Sequence, residues 1–158
     1  MITSELIKAL RNKFALDWKG IHGASHWARV RENGLRLAEA TQARTDVVEL
    51  FAFLHDSMRV NDDFDPYHGT RAAHYAESLR GKFFDLDDDG LSLLKIACEG
   101  HSDGLMDADI TVQICWDSDR LDLGRVGITP DPRRLCTTAA KEADILEWAY
   151  ARSIKDKR

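Results

Sequence analysis

Apolar residues recur at spacings of three and four along most of this chain, which is the pattern of amphipathic helices. Leu6, Leu10 and Phe14 lie on one face of the first such segment, and Trp27 begins a similar face in the second. The pattern predicts helices over about residues 3–16, 25–40, 45–56, 70–80, 91–99, 114–121 and 139–155. We therefore expect an all-α protein, a compact bundle of several helices.

Residues that favour helix ends separate these segments. Ser25 is a good N-cap residue, and Gly81 suits the position that follows a helix. Residues 110–112 fit either the start of the sixth helix or a short strand. A polar loop covers residues 59–69. Residues 124–134 form either a connection to the last helix, which we favour, or a lid over one side of the bundle.

The acidic run Asp85–Gly90 has the Asp-x-Asp-x-Asp-Gly spacing with which a calcium-binding loop begins. The twelfth position of such a loop should be a bidentate glutamate, and here it is Ile96. We therefore interpret the aspartates as the N-terminus of a helix, where carboxylates complement the helix dipole.

Composition and charge describe an ordinary globular protein. With 158 residues, of which 44% are hydrophobic and 31% charged, residues 1–158 are long enough for a single domain with a sizeable core. The net charge of −5, from 22 basic and 27 acidic residues, argues against a protein that binds extended nucleic acid through general electrostatics. The sequence leaves homo-oligomer formation open.

The sequence contains no pattern typical of a membrane or secretory segment. No run approaches the ~20 apolar residues that span a bilayer, and residues 1–5 lack the basic and apolar regions of a secretory signal. The three cysteines include no Cys-x-x-Cys pair, which favours reduced thiols. We therefore expect a cytoplasmic protein that does not interact with membranes.

The adjacent pair His55-Asp56 closes the run Val47–Leu54, in which seven of eight residues are apolar. Burying an imidazole and a carboxylate at this place is costly unless a partner such as a bound cation satisfies them. Three further histidines lie at predicted helix ends or at a loop–helix junction: His26, His68 and His101. Helix ends that meet on one side of a bundle can assemble a metal centre. Mixed imidazole and carboxylate ligands suit manganese, iron, cobalt, nickel or zinc.

Three motifs over about residues 20–125 carry a family resemblance. They are His26-Trp27 with Arg29-Val30, then His55-Asp56, then Ser118-Asp119-Arg120-Leu121-Asp122. This arrangement resembles the HD-domain superfamily of metal-dependent phosphohydrolases, whose signature is a helical histidine, a His-Asp dyad on the next helix and a later aspartate. The resemblance implies a helical bundle of the HD-domain type, in which His26, His55, Asp56 and Asp119 hold one divalent metal.

Two features of this ligand set stay open. Asp117 competes with Asp119, because its helical phase matches that of the apolar residues around it, whereas the family pattern of a small residue before the aspartate favours Asp119. Some branches of the superfamily bind a second metal through additional histidines. His68 and His101 occupy comparable places, with Asp56 as the bridging ligand. We assign structural or supporting roles to the other two histidines, His22 and His74.

The resemblance implies metal-assisted hydrolysis of a phosphate ester or anhydride, most readily of a nucleotide or related small molecule. Asp56 and Arg59 would act at the catalytic centre, with Asp62, or its neighbour Asp63, as general acid or base. Arg59, Arg71 and Arg120 would contact phosphate, since a planar guanidinium suits bidentate phosphate binding. Two alternatives are a di-iron oxygenase of the same fold and a non-catalytic binding module.

Overall fold

The computed structural model describes residues 2–155 and folds them into seven α-helices. The helices are α1 Ser4–Lys13, α2 Ala24–Ala38, α3 Thr45–Leu54, α4 His68–Leu79, α5 Asp88–Gly100, α6 Ile110–Arg120 and α7 Ala143–Lys155. Three short 3₁₀ turns lie between α6 and α7: Leu123–Val126, Pro132–Arg134 and Ala139–Lys141. The all-α prediction is confirmed, because the described residues contain only an isolated β-bridge, between Arg80 and Phe84, and no strand.

The third helix, α3, lies at the centre of the bundle and packs against α2, α4, α5 and α6. Six of its residues are fully buried: Val47, Val48, Leu50, Phe51, Ala52 and Leu54. Burial on all sides explains why its sequence is an almost unbroken apolar run rather than an amphipathic pattern. Because α3 is central, His55 and Asp56 at its C-terminal end come within reach of several neighbouring helices.

Two glycines allow neighbouring helices to approach closely. A Cβ atom at Gly34 would collide with Val48 Cγ1, where α2 packs on α3. A Cβ atom at Gly69 would collide with the carbonyl oxygen of Cys98, where α4 packs on α5. The second contact brings the beginning of α4 against the end of α5, and both ends carry histidines.

Side chains and glycines end the helices at several predicted places. The Asp87 carboxylate accepts a hydrogen bond from Gly90 N at 2.7 Å, so the acidic run is a helix start, as predicted. The Asp109 carboxylate accepts one from Thr111 N at 2.8 Å, which makes the ambiguous segment the first turn of α6 rather than a strand. Gly81 follows α4 with a φ of 83°, a conformation that glycine adopts readily.

Several helix boundaries differ from the prediction by two to four residues, and two of them have a visible cause. The first helix ends at Lys13, because the backbone of Phe14 turns extended and its ring packs edge-on against Trp18 and Trp27. The last α-helix begins at Ala143, since a separate 3₁₀ turn takes up the residues before it. Within residues 2–155, no helix is long and apolar enough to cross a bilayer.

Candidate metal centre

Five helices contribute titratable side chains to one end of the bundle. The residues are His26 in α2, His55 and Asp56 directly after α3, His68 at the start of α4, His101 directly after α5, and Asp119 near the end of α6. The four histidines and Asp56 are buried, and the Asp119 side chain is 16% exposed. These are the six metal-binding residues predicted from the sequence, and the structure places all six in one cluster.

Hydrogen bonds to backbone carbonyl groups define the tautomers of three of these histidines. The Nδ1 atoms of His55, His68 and His101 each contact a main-chain oxygen of a residue three or four positions earlier. The oxygens belong to Phe51, Asp65 and Cys98, in that order. Because a carbonyl oxygen can only accept, Nδ1 must carry a proton, and in the neutral ring the Nε2 atom that points into the cluster is the unprotonated one.

The Nε2 atoms face one another in two pairs. The distance is 3.1 Å between His26 and His55, and 2.8 Å between His68 and His101. Two lone pairs at such a distance repel each other unless a cation lies between them or one nitrogen takes up a proton. Two nitrogens bound to one metal, each at about 2.0–2.1 Å, are separated by a similar distance. The donor atoms of this cluster therefore fit a divalent metal ion.

The Asp56 carboxylate lies between the two histidine pairs, with one oxygen toward each. Its Oδ2 atom is 3.2 Å from His26 Nε2 and 3.3 Å from His55 Nε2. Its Oδ1 atom is 3.2 Å from His68 Nε2 and 3.4 Å from His101 Nε2. A carboxylate in this position could act as a bridging ligand, with one oxygen toward an ion held by each histidine pair.

The late aspartate that faces the cluster is Asp119. Its Oδ1 atom lies 3.3 Å from His26 Nε2 and 3.4 Å from His55 Nε2. Asp117 is also buried, but its carboxylate accepts hydrogen bonds from the backbone amides of Cys136 and Thr137 at 2.7 and 2.8 Å. Asp117 therefore anchors the chain that leads to α7, and Asp119 completes the first histidine pair.

Electrostatics make this cluster attractive to cations. Burial disfavours the charged form of His55, but the carboxylates of Asp56 and Asp119 outweigh burial and raise its pKa to about 10. Burial likewise disfavours the ionised Asp56, yet the neighbouring histidines, His55 first among them, hold its pKa well below the usual value. The pKa of Asp119 is lowered in the same way. Charged carboxylates that stabilise an imidazolium here would also stabilise a metal ion.

Of the three predicted phosphate-binding arginines, the structure places Arg59 beside the cluster, where its Nε atom donates to Asp56 Oδ1 at 3.2 Å. Arg120 lines a cavity that opens onto the cluster. Arg71 differs from its predicted role. Its guanidinium donates to both carboxylate oxygens of Asp65 at 2.7 Å and to the carbonyl of Met58, so it fastens the loop before α4.

A cavity of about 840 Å³ opens onto the cluster. Asp56, His101 and Asp119 line it on one side, and residues of the segment 120–135 form much of the rest. The segment 124–134 therefore connects α6 to α7, as favoured from the sequence, and also forms a wall of this cavity.

Comparisons with known proteins agree with this geometry. No protein-family model matches the sequence, and no curated protein matches it either. A crystal structure described as a predicted HD superfamily hydrolase, from an uncultured Thermotogales bacterium, superposes with a TM-score of 0.70 at 25% sequence identity. The match covers 93% of this chain and 84% of that one. This chain has the HD-domain fold. The resemblance seen in the motifs is confirmed at the level of the fold. We call the histidine–aspartate cluster of this chain the HD centre.

The role of one supporting residue of the HD centre was not predicted from the sequence. Asp122 is fully buried, and its carboxylate accepts from His26 Nδ1 at 2.7 Å and from Arg29 Nε at 2.7 Å. A carboxylate behind a metal-binding histidine fixes the tautomer and makes the other nitrogen more basic. The only sequence signal was its place three residues after Asp119, and its role depends on a contact between residues 96 positions apart.

Asp62, the predicted general acid or base, forms a pair with His22 on the cavity of the HD centre. His22 Nδ1 and Asp62 Oδ1 are 2.7 Å apart, and both residues line the cavity. Burial lowers the pKa of His22, while the Asp62 side chain is 48% exposed. His22 thus has the supporting position that the sequence suggested, and His74 is exposed on α4.

Proposed function

We propose that this HD-domain protein is a metal-dependent phosphohydrolase that acts on a phosphate ester or anhydride of a small molecule, such as a nucleotide. The observation that carries the proposal is the position of Asp56 between two pairs of inward-facing histidine nitrogens. The description of its structural neighbour as a predicted hydrolase supports the same class of reaction.

The ligand assignment follows from the distances. His26, His55, Asp56 and Asp119 would hold one divalent ion, and His68 and His101 would hold a second with Asp56 shared between them. Nitrogen and carboxylate donors suit manganese, iron, cobalt, nickel or zinc. Such ions supply Lewis-acid activation of water and of phosphoryl oxygens.

Residues of the chain itself bind and orient the substrate. Arg59 lies against Asp56, so its guanidinium can stabilise the negative charge that develops on the phosphoryl oxygens. Arg120 donates to the carbonyl oxygens of Leu105 and Arg134 at 2.6 and 3.0 Å, which fixes its guanidinium on the cavity wall. Both arginines then hold the phosphate in one orientation toward the attacking water.

Proton transfer is assigned to the pair of Asp62 and His22. When water attacks phosphorus, the bond to the leaving oxygen breaks, and that oxygen needs a proton. Asp62 is partly exposed at the cavity and bonded to His22, so it can exchange protons with solvent and with the leaving group. The neighbouring histidines keep the buried Asp56 and Asp119 ionised, so these two aspartates are poorly suited to donate a proton.

Product formation from a substrate panel tests the proposal, measured as phosphate release from monoesters and pyrophosphate and as alcohol release from a phosphodiester. The metal-reconstituted protein is incubated with p-nitrophenyl phosphate, a phosphodiester, nucleoside monophosphates and pyrophosphate. We expect release from at least one of them, and we expect Asp56→Asn to lose metal and turnover together. Asp89→Asn is the matched control, because Asp89 is an exposed aspartate on α5. No release from the whole panel by metal-loaded protein, or full activity of Asp56→Asn, would overturn the proposal.

A further inference from the structure

The cavity over the HD centre is larger than a single phosphate group needs. Its volume of about 840 Å³ lies within the range of about 300–1,000 Å³ typical of pockets for whole small-molecule ligands. The metal-binding residues line only part of it, and the segment 120–135 lines much of the remainder. We call the cavity-lining part of this segment the outer wall.

The outer wall is basic in a protein that is acidic as a whole. Among its residues that line the cavity, four are arginines and one is an aspartate: Arg120, Arg125, Arg133, Arg134 and Asp131. The whole chain carries a net charge of −5. The single aspartate is already paired, because Arg133 Nη2 donates to Asp131 Oδ2 at 3.0 Å. The remaining arginines therefore create a local positive potential.

The hydrogen-bond partners of Arg120 and Arg125 leave their charge uncompensated, whereas Arg134 has only a longer-range attraction to Asp131. Arg125 donates to the carbonyl oxygens of Ile21 and Asp122 at 2.8 and 3.0 Å. A carbonyl group orients a guanidinium without cancelling its charge, and Arg120 is held in the same way. The guanidinium of Arg134 makes no hydrogen bond or ion pair with any residue among positions 2–155. Arg134 is thus available to a ligand in the cavity.

Apolar side chains accompany these arginines on the cavity. Ile21, Val126 and Ile128 line it and are 41%, 38% and 52% exposed. Large apolar side chains exposed together in a concave site are typical of ligand binding. They suit the ring or hydrocarbon body of a ligand whose charged ends meet the metal centre and the arginines.

We propose that the outer wall binds a second anionic group of the substrate through Arg125 and Arg134. The substrate class is then a small molecule with two anionic groups on one ring or apolar body, of which the HD centre hydrolyses one. This inference rests on the proposed function, and it names the class of molecule on which that function acts. Charge-assisted hydrogen bonds to the two guanidinium groups would favour such a molecule over one with a single anionic group.

A matched ligand pair tests the inference by binding rather than turnover. Isothermal titration of manganese-loaded protein compares adenosine monophosphate with adenosine 3′,5′-bisphosphate, which differ by one phosphate. We expect the bisphosphate to bind about tenfold more tightly or better. The preference should shrink in Arg134→Gln and disappear in the double variant Arg125→Gln/Arg134→Gln. Lys8→Gln is the control and should keep the preference, because Lys8 is an exposed cation of α1 and does not line the cavity.

Three results would overturn the inference: equal affinity for the two ligands, no binding of either, or a preference that survives in the double variant. Circular dichroism and the thermal midpoint of each variant show whether it is folded. Hydrolysis of p-nitrophenyl phosphate is measured separately on the same samples. Selective binding of the bisphosphate without hydrolysis of any substrate would contradict the proposed function and leave the second anion site in place.

Discussion

The Nε2 atoms of His68 and His101 lie 2.8 Å apart, and the Nδ1 atom of each ring is bound to a backbone carbonyl oxygen. Both Nδ1 atoms therefore act as donors, and the facing Nε2 atoms need either a shared proton or a metal ion between them. Asp56 Oδ1 lies 3.2 Å from His68 Nε2 and supplies a negative charge to the same place. The structure thus provides the donors for a second ion beside the one predicted from the HD motif.

Loss of this second histidine pair should remove one ion and leave the other. We predict that His101→Asn lowers the metal content of the reconstituted protein from two ions per chain to one, because His26, His55 and Asp119 do not depend on it. Elemental mass spectrometry measures this ratio. The control is His74→Asn, which changes an exposed histidine on α4. Retention of both ions by His101→Asn would show that His101 is not a ligand.

Replacement of Asp122 should weaken metal binding without removing any ligand. Asp122→Asn substitutes an amide for the carboxylate behind His26, so the ring loses the charge that makes Nε2 basic. Loss of such a supporting group typically weakens metal affinity by about 10–100-fold. A titration against a chelator of known affinity gives the change. An unaltered affinity in a folded variant would contradict the supporting role of Asp122.

The two aspartates of α6 should differ in their effect on metal binding. Asp117→Asn removes an acceptor from the buried amides of Cys136 and Thr137, and we expect it to lower the free energy of unfolding by about 1–3 kcal/mol while metal affinity stays the same. Asp119→Asn should weaken metal binding, and near neutral pH it should also lower the stability of the metal-free protein, because the Asp119 charge stabilises the imidazolium of His55. Denaturant unfolding and metal titration of both variants check this, and the reverse result would make Asp117 the ligand.

The stability of the metal-free protein should fall as pH rises. The folded protein raises the pKa of His55 to about 10 from a usual value of 6.5, so folding is linked to proton uptake between these values. The resulting stabilisation is complete below pH 6.5 and is lost as the pH rises toward 10. A bound metal replaces this proton, so the metal-loaded protein should lose much less stability over the same pH range.

Thermal midpoints measured from pH 6.5 to 10, with and without metal, test the linkage. We expect the midpoint of the metal-free protein to fall and the gap between the two forms to widen with pH, since protons compete with the metal for the same donors. A gap that narrows with rising pH would contradict this arrangement of charges.

Much of the fold follows from apolar spacing, because packing of amphipathic faces decides where helices form. The ends were harder to predict. The extended backbone of Phe14 depends on aromatic contacts with Trp18 and Trp27, which are distant from the helix signal itself. The helix ends at Asp87 and Gly81 could be predicted from the sequence, since capping depends on neighbours only a few residues away.

The residues of the candidate site likewise differ in how far the sequence predicts them. The six central residues carry a motif that can be read along the chain, whereas the partners around them depend on the tertiary fold. Asp65 pairs with Arg71 and thereby removes that arginine from the predicted phosphate site. Asp122 accepts a hydrogen bond from His26, which lies 96 positions earlier in the chain. Helical phase alone pointed to Asp117, and the family pattern favoured Asp119, which is the aspartate that faces the cluster.

The metal content of the protein shows whether the histidine–aspartate cluster is a two-ion centre. Protein purified without added metal, and the same protein after titration with manganese, iron or zinc, is analysed by elemental mass spectrometry. We expect about two ions per chain at saturation, one for each histidine pair that shares Asp56. A folded protein that retains no metal and takes up none on titration would contradict this expectation.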